Sequence, residues 1–165
     1  MKSHWEIIAE ALRAELADYG GLLHLFEQQQ RSIFARDADA VLSFSLAIES
    51  QARALAATRE HREEVVASFA MSNGRPANST LRSLLSFIAL AARPLVEALI
   101  DEVNHLIHRL RRTSGHNQTL LSRVVEVHQE MLAQLRPQTF TKTYSPGGRV
   151  SIAASGGVAT LRVAG

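Results

Sequence analysis

The chain has 165 residues, 46% of them apolar, which is enough for one domain with a buried core and excludes a chain disordered throughout. It contains no cysteine, which excludes disulfides and thiolate metal sites and makes the cytoplasm the expected location. The net charge of +2 is uneven: residues 138–165 carry Lys142, Arg149 and Arg162 and no acid, so the rest is near neutral and lacks the concentrated basic face of a nucleic-acid protein.

The first periodic segment reads Trp5, Ile8, Leu12, Leu16, Tyr19, Leu23, Phe26, Gln30, Ile33. Its steps alternate between three and four, which draws one stripe along a helix. Gly20-Gly21 lies inside it. Because the stripe keeps its phase through the pair, the pattern predicts one helix, softened by about 1 kcal/mol per glycine, with a break into two helices as the alternative. Asp37 and Asp39 follow, and either can accept the orphan N–H groups of a new helix. The second stripe is Val41, Phe44, Ile48, Ala52, Leu55, Arg59, Arg62, Val66, Phe69. Its two arginines are expected to lay their stems along the apolar groove and keep their heads in water.

Residues 72–79, Ser-Asn-Gly-Arg-Pro-Ala-Asn-Ser, form a loop on composition. Ser79 or Thr80 can cap a short helix over 81–92, and Pro94 either ends or kinks it or opens the next one. The last stripe runs Leu99, Val103, Leu106, Leu110, Thr113, Asn117, Leu120, Val124, Val127, Met131. It crosses Thr113-Ser114-Gly115-His116 without a change of phase, which predicts a single helix from about Pro94 to Arg136, on the order of 60 Å long. Beyond Pro137 the sequence is rich in Gly, Ser and Thr. Val150/Ile152 and Leu161/Val163 alternate on either side of Ser155-Gly156-Gly157, a pattern compatible with a short hairpin, although an isolated hairpin is marginal in water. The expected organisation is a helical bundle over 1–137 and a flexible tail over 138–165. The fold class is all-α, an antiparallel bundle of long helices with coiled-coil-like packing.

Few features point to chemistry. There is no glycine-rich phosphate loop, no His-Glu-x-x-His helix and no Gly-x-Ser-x-Gly elbow, so neither an enzyme nor a cofactor is expected. Asp101, His105 and His108 share one helical face at metal-ligand spacing, but Arg109, Arg111 and Arg112 beside them favour a solvated polar face over a metal site. The longest apolar run, Phe87–Ala92, falls far short of the roughly 20 residues that span a bilayer, and no signal-peptide-like run is seen near Met1. Thr113 and Asn117 are polar positions in an apolar seam, the kind that costs stability and sets register and partner choice. The last helix is also longer than its neighbours. Apolar positions along it should remain uncovered, a surface suited to an amphipathic helix of a partner.

The residues of this last helix and the tail carry a resemblance. Ser114-Gly115-His116-Asn117-Gln118-Thr119-Leu120-Leu121, then Val124-Val125-Glu126, Leu132 and Leu135-Arg136-Pro137, then Thr143-Tyr144-Ser145-Pro146-Gly147-Gly148, resemble the C-terminal half of the FlgN family of flagellar export chaperones. The family's Asn-x-x-Asn-x-x-Leu-Leu run keeps its second asparagine as Asn117, and Ser114 stands at the first. The resemblance implies a cytoplasmic chaperone that binds the C-terminal helical segments of the hook-associated proteins FlgK and FlgL and brings them to the export apparatus. It also implies docking of the tail tyrosine, here Tyr144, on the export-gate protein FlhA. The candidate partner-binding residues are Asn117, Leu120, Leu121, Val124, Val127 and Met131 on the last helix, with Tyr144 and Gly148 in the tail. The expected state is a monomer or weak dimer. The alternative is a structural coiled-coil protein that self-associates through its seam.

Overall fold

The computed structural model describes residues 3–135, 140–144, 150–154 and 160–161, with side chains through 135. By compactness the chain divides into two units, residues 1–122 and 123–165. The division falls within the last helix, whereas the sequence changes character at Pro137.

Helix α1 spans His4–Ala35 without interruption, so Gly20-Gly21 bends no break into it. The backbone N–H of Ser3 donates to Glu6 Oε2 at 2.7 Å, which satisfies one donor at the helix start. The helix ends on Arg36, whose left-handed φ of 58° turns the chain. Asp37 then caps α2, Ala38–Ser72, by accepting from the Ala40 N–H at 3.0 Å. A turn this short forces α1 and α2 to lie antiparallel. Side-chain contacts agree: Gln29 meets Ser45, Asp18 meets Gln51 and Thr58, and Glu15 meets Arg62. At the far end the rings of His4 and Phe69 are 5.8 Å apart.

The expected loop follows α2, and Gly74 takes a positive φ of 67° there. Thr80 caps the next helix by accepting from the Ser83 N–H. The expected helix over 81–92 is not continuous. It closes as one turn of α-helix, α3 at Leu81–Leu84, and one turn of 3₁₀ helix, Leu85–Phe87, before Ile88 goes extended. Leu81, Leu84, Ile88 and Ala92, three and four residues apart, are all buried. The helix fails for a local reason. The Arg93 guanidinium, next to Pro94, takes the carbonyls of Ile88 and Ser86 at 2.9 and 2.8 Å, giving them partners outside a helix.

Helix α4 spans Arg93–Leu135, 43 residues and about 64 Å. Pro94 sits in its first turn, where its missing N–H costs nothing. Within the first unit α4 runs parallel to α1. Leu12, Glu15 and Tyr19 share a cavity with Ile100, Val103 and Ile107, and farther along both helices Gln29 and Gln30 meet Asn117 and His116. The arrangement is therefore up-down-up, with α2 antiparallel to both neighbours. The core gathers on Ile8, Leu12, Tyr19, Leu22, Phe69, Leu84, Val96 and Val103.

In the second unit Phe140–Tyr144 (β1), Val150–Ala154 (β2) and Thr160–Leu161 (β3) form a sheet in the order β1-β2-β3, both pairs antiparallel. The β2–β3 pairing is the one anticipated around Ser155-Gly156-Gly157. The β1–β2 pairing was not anticipated, although Phe140, Thr141, Thr143 and Tyr144 are all good strand formers. Residues 145–149 and 155–159, and so any flexibility expected of them, lie outside the described residues.

A Cβ at Gly20 would meet nothing within 4 Å, and one at Gly21 would touch the Gln51 amide at 3.4 Å. Gly20→Ala should therefore raise stability by about 0.5–1 kcal/mol, and Gly21→Ala by less, read as the shift in urea midpoint at constant slope.

Candidate functional site

The seam of the first unit carries two polar layers. The upper one is centred on Asn117, which is 1% exposed. Its Nδ2 donates to the Phe26 carbonyl at 2.7 Å and to Gln29 Oε1 at 3.0 Å. Gln29, 4% exposed, donates in turn to the Ser45 hydroxyl at 2.9 Å, and Ser45 donates to the Val41 carbonyl at 2.9 Å. One chain of hydrogen bonds thus links α4, α1 and α2. Gln30 and His116 add an exposed contact at 2.9 Å, and Arg109 pairs with Glu27 at 3.5 Å. Thr113, expected to share this step with Asn117, instead donates to its own helix at the Arg109 carbonyl.

The lower layer was not anticipated. Glu15 on α1 is 1% exposed, and its Oε2 accepts from Arg62 Nε on α2 at 2.8 Å. The Arg59 guanidinium approaches Oε1 at 3.9 Å. Arg62 therefore does not simply reach for water from the seam; its head closes on a buried carboxylate. The signal was present in the sequence. Glu15 stands three residues after Leu12 and four before Tyr19, so it lies on the apolar face. Tyr19, in the same region, has its phenol pushed above its ordinary value by burial, against the lowering effect of Arg59.

Asp101, His105 and His108 are all exposed, and Asp101 is engaged by Arg82 of α3. That pairing occupies the carboxylate a metal would need.

The expected partner-binding residues fall into distinct settings. Asn117 is enclosed by the bundle and presents no surface to a partner. Leu120 and Leu121 are half-buried. Val124, Val127 and Met131 are exposed by 42%, 50% and 57%. Val125, Leu132 and Leu135, outside the expected set, are exposed as well. Val125 and Leu132 lie beside the predicted stripe, and Leu135 continues it four residues past Met131. Tyr144 lies in β1, where its backbone pairs with Val150, and Gly148 lies outside the described residues.

A bundle held in register by polar layers, whose longest helix bears a run of exposed apolar side chains, is a scaffold that presents a surface. The family profile described as FlgN protein matches residues 1–152. The chain belongs to the FlgN family and, as such, is a flagellar export chaperone. No curated protein and no solved structure gives a significant match to the chain. None of the described helices is long and apolar enough to cross a membrane.

Two outcomes follow from the layers. Asn117→Ala should lower stability by about 1–3 kcal/mol, because Gln29 loses a buried donor; urea unfolding measures it. Since the Tyr19 pKa is raised in the folded state, its stabilising contribution is complete below the ordinary value of 10.0 and is lost as pH rises through the raised value. Melting temperature should therefore fall more steeply above pH 10.0 in the parent than in Tyr19→Phe.

Proposed function

We propose that the chain is a cytoplasmic chaperone for hook-associated proteins of the FlgK and FlgL type. It holds their C-terminal amphipathic helices on the exposed apolar side chains of α4 and delivers them to the export gate protein FlhA. The observation that carries this reading is the exposed apolar run on α4, from Val124 at 42% to Leu135 at 79%. Fully burying such a side chain is worth about 1.5–3 kcal/mol, so half-exposed residues gain roughly half of that on contact. Several together offset the entropy lost on docking without making release slow. Leu120 and Leu121 precede this run in the helix and extend the same apolar pattern. Tyr144 is the residue assigned to the gate contact, with Gly148 close to it in sequence.

Because Val124 and Met131 are exposed, charging them should leave the helices folded. Val124→Asp and Met131→Asp should each weaken capture of the C-terminal segment of a hook-associated protein by about tenfold, or roughly 1.4 kcal/mol. Circular dichroism should be unchanged. Undiminished capture by both variants overturns the reading. A stable dimer in light scattering across micromolar concentrations, broken by the same substitutions, would instead mean that the run serves self-association. Tyr144→Ala should keep substrate capture and lose retention on the cytoplasmic part of the gate protein.

A further inference from the structure

The polar contacts between α1 and α4 fix a register. Glu27 and Gln30, three residues apart on α1, meet Arg109 and His116 of α4 at 3.5 and 2.9 Å. Phe34 stands four residues past Gln30, so it continues the same stripe toward α4. Because the two helices run parallel, an equal step from His116 brings Leu120 to the same level. The next rung of this interface is therefore Phe34 opposite Leu120, and it is open. Phe34 is 66% exposed, and Leu120 and Leu121 are only half-buried, whereas Asn117 and Gln29 in the rung below are enclosed. Helix α2 adds to the opening. Gln29 donates to Ser45 at 2.9 Å, which sets Ser45 level with the upper polar layer. Since α2 is antiparallel to α1, Leu42, three residues before Ser45, lies beyond that layer on the side of Phe34. Leu46, one turn from Leu42, is level with the layer. These two are 63% and 61% exposed.

The side chains of Phe34, Leu42, Leu46, Leu120 and Leu121 carry no donor or acceptor, so whatever covers them is apolar on this side. The apolar stripe of an amphipathic helix is about 100° wide or more. A single helix presents a ridge that meets part of such a stripe, whereas a groove with two walls meets both of its flanks. We propose that Phe34, Leu42 and Leu46 form a second wall of the client site, so that the amphipathic helix of a client packs against the α1–α2 turn as well as against Leu120 and Leu121 of α4. The occupant is the client rather than a second copy of the chain, because the open rung is bordered by Leu120 and Leu121, the start of the apolar pattern that the client covers. The inference rests on the client reading of α4 and extends it to α1 and α2.

The test is capture of the C-terminal segment of a hook-associated protein by full-length variants. Phe34→Asp and Leu42→Asp should each weaken capture by about tenfold with circular dichroism unchanged, since both positions are exposed. Leu90→Asp is the control: its side chain is 76% exposed, but it lies just before α4 begins, near the opposite end of the first unit, and capture should be unchanged. A benzophenone side chain at position 34 should cross-link to the segment on irradiation. Undiminished capture by Phe34→Asp and Leu42→Asp, while Val124→Asp and Met131→Asp weaken it, overturns the second wall and leaves the α4 reading standing. Undiminished capture by all four overturns both. A loss in Leu90→Asp as large as in Phe34→Asp would mean unspecific adhesion and overturns the second wall. So would a dimer in light scattering that Phe34→Asp breaks without changing capture, because a second copy would then cover the rung.

Discussion

The side-chain amide of Asn117 is the point at which three helices are held to one register. Leu, Val and Ile stripes tolerate sliding, because one apolar contact replaces another at similar cost. A buried amide does not. Asn117 spans from α4 to the Phe26 carbonyl and Gln29 of α1, and Gln29 spans onward to Ser45 of α2. Moving any of the three helices by a turn would strand a buried donor and a buried acceptor together, at about 1–3 kcal/mol each. The layer adds little net stability when intact, since the amide nitrogens exchange water for protein partners while Asn117 Oδ1 is buried without one. Its effect is to make the alternatives worse.

Glu15 and Arg62 do the same work lower in the bundle. The two layers are separated along α1 by about 21 Å, from Glu15 to Gln29. Leu22 and Tyr19 fill the space between them. A buried ion pair is weak evidence of stability, because desolvation consumes most of the attraction, but removal of one partner leaves an uncompensated charge. Two such layers at different heights constrain both the axial position and the rotation of α1 against α2. This explains why the helix tolerates Gly20-Gly21 between them: tertiary contacts on either side fix the conformation that glycine leaves loose.

Most of the helical architecture was legible from period alone. The α1 stripe crosses Gly20-Gly21 and the α4 stripe crosses Gly115, and both helices are continuous there, because burial of a face outweighs the propensity of one or two residues. What escaped was chemistry that depends on a second segment. The position of Glu15 on the apolar face was legible from its spacing to Leu12 and Tyr19, but its partner Arg62, 47 residues away, was not. The segment 81–92 was expected to be one helix, and its break after Phe87 goes with the Arg93 side chain taking the carbonyls of Ile88 and Ser86, a contact its sequence does not announce. Asn117 was legible as a register position from its place in the seam, but not its partners, which lie 88 and 91 residues away. The β1–β2 pairing is local, but Lys142 interrupts the apolar alternation of β1, Phe-Thr-Lys-Thr-Tyr, so β1 lacks the pattern that marks β2 and β3.

The same structure separates the residues that make the fold from those that remain available to a partner. Helix α1 ends at Ala35, about two turns past Gln29, whereas α4 has about five turns of helix between Asn117 and its end at Leu135. The α4 residues Val124, Val125, Val127, Met131, Leu132 and Leu135 keep roughly half or more of their surface in water. Side chains this exposed contribute little to folding, so their identity is not fixed by stability. An export chaperone needs that independence. Its grip on a client must be weak enough to release, and an apolar surface that also formed the core could not be tuned without unfolding the scaffold. Under the proposed role of the α4 run, placing the register in Asn117 and Glu15 would let affinity for a client vary while the bundle stays the same.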